Sequence, residues 1–107
     1  MATNTIDTLY GPAQLTAASV ALVAGTSAGT MVKYISIINT AGTSETVELH
    51  IHTAAPGDAQ LVTKIVLAPG DTGEWTGTMI VPTGSSLYGK STNATAVTIS
   101  VHGMDMT

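Results

Sequence analysis

The chain has 107 residues, enough for one domain with a modest core, and carries a net charge of −4 with three lysines, no arginine and no cysteine. Charged residues make up 9%, against roughly a quarter in an average domain, and threonine, alanine, glycine and serine stand in their place. This composition excludes disulfides, thiolate metal sites and cysteine nucleophiles. It also leaves Lys33, Lys64 and Lys90 too scattered in sequence to form a basic run for a nucleic acid or an anionic membrane.

The first eight residues, "MATNTIDT", are polar and weakly patterned. They lack the basic start and apolar stretch of a signal peptide and read as a candidate extended arm, residues 1–8 of a single domain spanning 1–107. "TLYG" and "SVALVA" follow as weak strands expected at sheet edges. "TMVKYISIINT" is apolar on both faces around Ile35, Ile37 and Ile38, which predicts a central or doubly covered strand. "ETVELHIHT" alternates, with Val47, Leu49 and Ile51 on one face and Thr46, Glu48, His50 and His52 on the other. "LVTKIVLA" and "EWTGTMIV" are further strands, and "SSLYGKS" is a third weak edge candidate. "ATAVTISVHGM" alternates again, placing Val97, Ile99 and Val101 opposite Thr98, Ser100 and His102. The closing "MDMT" is expected to fray.

Glycine, proline and aspartate gather between these runs, in "NTAGTSE", "AAPGDAQ", "APGDTGE" and "VPTGSS". No segment of ten or more residues has helical period and caps, and no apolar run approaches the roughly 20 residues of a membrane helix. About eight short strands reversing every ten residues or so predict an all-β antiparallel sandwich. Eight strands fit a jelly roll, and a seven-stranded immunoglobulin-like sandwich is the alternative.

Few groups offer chemistry. His50 and His52 lie on one strand face about 7 Å apart, with Glu48 beside them. They are candidate metal ligands, yet one strand supplies two imidazoles at best and a closed site needs three or four ligands. His102 would join them only if the last strand paired alongside. The competing reading is a wet strand face. The carboxylates Asp7, Glu45, Glu48, Asp58, Asp71, Glu74 and Asp105 show no opposed pair for glycoside hydrolysis, and no serine sits in a nucleophile elbow. No catalytic residue and no cofactor is expected. Trp75, Tyr10 and Tyr88, with Tyr34, could form an aromatic contact surface for a sugar. In a chain without phenylalanine, packing of the rings at the core is the stronger expectation.

A neutral surface is cheap to desolvate against a partner, which points to assembly. The course of "LYGPAQLTAASVALVAG", "YISIINTAGTSETVELHI", "VLAPGDTGEW" and "VPTGSSLYGKSTNATAVTISVHG" resembles that of small bacteriophage virion proteins, over Leu9 to Gly103. The resemblance implies a capsid decoration (cement) protein without enzymatic activity. Such a protein is made in the bacterial cytoplasm and sits on the outer capsid. Its partners would be the major capsid protein and further copies of itself, as dimers or trimers at symmetry positions. A tail or head–tail component, or a carbohydrate- or receptor-binding module, is the alternative. The resemblance assigns no role to individual residues.

Overall fold

A computed structural model describes residues 7–26, 28–53 and 61–105. They form eight antiparallel strands and, among the described residues, no helix. The strands are β1 (Asp7–Gln14), β2 (Val20–Ala24), β3 (Thr30–Asn39), β4 (Glu45–His52), β5 (Leu61–Leu67), β6 (Thr72–Val81), β7 (Ser86–Ser91) and β8 (Val97–Asp105). Sheet A has the order β1-β8-β3-β6 and sheet B the order β2-β7-β4-β5. The pairs β1–β8, β2–β7, β3–β6 and β4–β5 each join strands whose numbers add to nine. That is the signature of one long hairpin rolled over on itself, the jelly roll; an immunoglobulin-like sandwich pairs its strands differently.

Alternation builds the core between the sheets. Ile35 and Ile37 of β3 and Val97, Ile99 and Val101 of β8 face Val47 and Leu49 of β4 and Leu87 of β7. Leu15, Leu22, Val23, Val32, Leu67, Val81 and Ala96 complete the buried set, each large aliphatic contributing about 1.5–3 kcal/mol. With no phenylalanine available, branched side chains fill the gap and the aromatic rings stay at the margin.

Along β3 the parity changes between Val32 and Ile35. Between Val32 and Ile35, β3 takes three steps while β8 takes two (Gly103 to Val101) and β6 takes four (Met79 to Trp75). Each strand outward adds a residue, so the sheet bends there. Lys33 of β3 closes the bulge by donating from Nζ to Thr78 Oγ1 at 2.7 Å.

Two turns depend on glycine. Asp71 N donates to Ala68 O, and Ser85 N to Pro82 O, each at 3.0 Å. The third residue of each turn, Gly70 at φ 77° and Gly84 at φ 84°, takes the left-handed conformation that type II turns require.

Several expectations change. "TMVKYISIINT" is central, as β3 lies between β8 and β6, but Ile38 remains 41% exposed on the outer face. "TLYG" and "SVALVA" do fall in edge strands, β1 and β2. "SSLYGKS" does not: β7 lies between β2 and β4. Gly89 lets β2 and β4 approach β7 closely. An added Cβ there would stand 2.8 Å from Leu22 Cδ1 and 3.2 Å from Leu49 Cδ2, so large side chains from both neighbours close over it. The other edges are β5 and β6. Met104 and Asp105 do not fray; they end β8, where Asp105 Oδ1 accepts from Thr30 Oγ1 at 3.0 Å. Of the candidate arm, Asp7 and Thr8 pair with Gly103 and His102, and residues 1–6 lie outside the described residues. "AAPGDAQ", with Asp58, also lies outside them.

Candidate functional site

The polar side of β4 forms the outer face of sheet B, as alternation requires. Register with β7 and β5 sets Glu48 between Lys90 and Lys64, and His50 between Tyr88 and Leu61. Two lysines separated in sequence thus flank one carboxylate, a grouping that pairwise spacing along the chain could not reveal. Next to them, Ala17, Thr46, Glu48, Lys90, Ser91 and Thr92 line a shallow depression of about 220 Å³.

His50 departs from the wet-face expectation, because it is only 1% exposed. Its Nε2 lies 3.9 Å from Glu48 Oε1, and its Nδ1 is sealed from solvent with no hydrogen-bond partner among the described residues. A sealed nitrogen cannot receive an incoming ion without rearrangement. His52, opposite Ser86, is half-buried. His102 belongs to β8 in the other sheet and faces outward there, so it cannot join the pair. Among the described residues, no three His, Asp or Glu side chains come together as a metal site.

The outer face of sheet A is different in character. Cross-strand pairs set Tyr34 against His102, Ser36 against Ser100 and Ile38 against Thr98. With Pro12 these residues line a shallow depression of about 300 Å³ without a charged side chain. The His102 ring lies 5.6 Å from that of Tyr34, tilted by 43°. Its Nε2 is 2.8 Å from Ser100 Oγ and its Nδ1 is 3.3 Å from Thr8 Oγ1. A serine beside an imidazole resembles a nucleophile and base. Here the third partner is a hydroxyl, which cannot stabilise an imidazolium as a carboxylate does.

The aromatic residues are dispersed. Trp75 of β6 pairs with Ile35 and Tyr10 of β1 with Val101, so both turn inward and pack at the core margin. β1 and β6 are opposite edges of sheet A, while Tyr88 lies on the outer face of sheet B. The three share no surface.

Two buried polar residues are structural fasteners that sequence reasoning did not single out. Glu45, 1% exposed, accepts from Asn93 N at 2.9 Å, Asn93 Nδ2 at 2.7 Å and Thr43 Oγ1 at 3.4 Å. The Asn93 side chain, followed by its backbone N–H and the Thr43 hydroxyl, holds the carboxyl below its ordinary value against the opposing effect of burial. Asn39 holds the β3–β4 and β5–β6 turns together. Its signal was the "NT" that ends β3.

Comparison with protein families, with curated proteins and with solved structures returned no match.

Proposed function

We propose that this protein is a non-enzymatic virion component of a bacteriophage, a capsid decoration protein that binds the outer shell and stabilises it. The observation that carries the reading is a patch on the outer face of sheet A that lacks a charged side chain, with Glu74 at its border opposite Ser36. Tyr34, Ser36, Ile38, Thr98, Ser100 and His102 form a broad, shallow surface of hydroxyls and apolar atoms. Covering it removes few ions from water, and the hydroxyls can exchange water for backbone groups of a partner. The sandwich beneath is held by interlocked side chains and resists shear, which suits a shell under internal pressure. Repetition over many equivalent sites would convert weak single contacts into firm attachment. The sugar-binding alternative loses its best support, because Trp75, Tyr10 and Tyr88 do not form one platform.

Copy number in the parent particle tests the proposal. Several hundred copies on the head support decoration, a handful at one vertex or on the tail support a tail component, and absence from the particle rejects both. Attachment through a neutral face should weaken less than about tenfold between low and high salt, since screening acts on charges. A loss of several orders of magnitude would reject the sheet A face as the attachment surface.

A further inference from the structure

The four sheet edges are not equally protected. β1 carries Gly11 and Pro12 and shifts register twice against β8. β2 is five residues long and also shifts. β6 contains Gly73 and Gly77 and bears the bulge opposite Lys33. Each of these devices discourages a further strand from pairing. β5 has none over most of its length. From Thr63 to Leu67 it keeps unbroken register with β4, without proline or glycine. Among the described residues, no strand pairs with its other side. It also presents apolar surface: Val66 is 67% exposed, and Leu61 and Val62 are exposed as well.

An open strand edge presents alternating N–H and C=O groups, and another strand satisfies them best. We propose that β5 pairs antiparallel with β5 of a second copy about a two-fold axis, joining two B sheets into one continuous eight-stranded sheet. Charge selects the register. A two-fold axis through Lys64 would set the two ammonium groups side by side. An axis through Ile65 sets Lys64 against Val66 of the partner subunit, so each aliphatic stem covers an exposed valine while Glu48 remains the neighbour of Lys64 on its own chain. On the inner face the same axis brings the two Ile65 side chains, already packed at the core margin, against each other.

Size sets the expected affinity. With the axis at Ile65, Thr63 to Leu67 pair, five residues that extend about 17 Å, and the body is 19 Å across its shortest axis. Their product is about 320 Å² per copy, below the roughly 1,000 Å² in total that marks stable interfaces. The dimer is therefore expected to be weak, on the order of 100 μM, and to be reinforced where copies are held on a lattice. The inference stands apart from the capsid reading, because the isolated protein suffices to test it.

Sedimentation velocity on the full chain, from about 1 μM to 500 μM, reads the equilibrium directly. The native chain should shift from monomer to dimer across this range. Val66→Lys should weaken the dimer by about tenfold or more, because two like-charge pairs form across the axis. Val66→Glu should retain or tighten it by facing Lys64 of the partner subunit, and Lys64→Glu combined with Val66→Lys should restore it. Circular dichroism of each variant should match the native chain, since position 66 is exposed. A chain that stays monomeric at 500 μM overturns the proposal. So does a Val66→Glu variant that dissociates as fully as Val66→Lys. Capsid binding by the native chain, measured separately, would leave this result unchanged either way.

Discussion

Asn39, the last residue of β3, is fully buried. Its Nδ2 donates to the carbonyls of Thr43 at 2.8 Å, Leu67 at 3.2 Å and Ala68 at 3.2 Å, and its Oδ1 accepts from Ala41 N at 2.9 Å. Two amide hydrogens serve three carbonyls, so one hydrogen is shared and about three bonds' worth of stabilisation is at stake. At about 1 kcal/mol each, Asn39→Ala should cost about 3 kcal/mol. In a domain of this size that lowers Tm by about 15 °C. Asn39→Asp separates donation from shape, because it keeps the volume and turns a carboxylate oxygen towards the three carbonyls. At pH 7 it should cost at least as much as Asn39→Ala, and the deficit should narrow in acid as the carboxyl regains a proton to donate. Thermal and urea unfolding followed by circular dichroism measure both variants. An Asn39→Asp protein within about 1 kcal/mol of the native chain at pH 7 would refute the reasoning, because shape alone would then hold the two turns.

Three further outcomes are expected. Glu45 has a folded pKa below its ordinary 4.5, so its contribution is complete above that pH and fades as pH falls through the lowered value. Melting curves from pH 7 to pH 2 should therefore show a loss below about pH 4.5 that Glu45→Gln reduces, while that variant starts from lower stability at pH 7. His50→Leu removes a sealed nitrogen without a partner among the described residues and should be neutral or stabilising by about 1 kcal/mol, whereas a loss above about 2 kcal/mol in urea melts would mean that the ring holds a bond essential to sheet B. A Cβ on Gly103 would stand 1.9 Å from the Met31 carbonyl oxygen, while one on Gly42 would meet nothing within 4 Å. Gly103→Ala should thus cost about 2–3 kcal/mol and Gly42→Ala should change stability by less than about 1 kcal/mol, again read from urea melts.

Period-two alternation carried most of the fold. Val47, Leu49 and Ile51 point inward and Thr46, Glu48, His50 and His52 outward, as the pattern in "ETVELHIHT" requires. Alternation fixes direction but not cover, and for that reason the burial of His50 was illegible. It depends on neighbours such as Tyr88 and Leu61, not on β4 alone. Edge and centre were confused for a related reason. "LVTKIVLA" carried no sign of edge or centre, and β5 is an edge with Val62 and Val66 exposed, while "SSLYGKS", expected at an edge, is central, with Leu22 and Leu49 packed close over Gly89. The parity change at Lys33 could not be read from β3 alone, since the extra residues are counted against its neighbours. Glu48 and its two lysines came together only through three-strand register, and Asn39 and Glu45 act through carbonyls and amides distant in sequence.

The nine-sum pairing has a consequence for how the chain reaches this shape. β4 and β5 are neighbours in sequence, and β3–β6, β2–β7 and β1–β8 lie successively outside them. Once an inner pair has closed, the next bridges only the short segments added on either side, so loop entropy is lost in small increments rather than in one long closure. Collapse can proceed like a zip from the middle of the polypeptide towards its ends. Even so, the dominance of non-local pairing places the time for self-assembly of one molecule at about milliseconds to seconds, the usual scale for all-β domains.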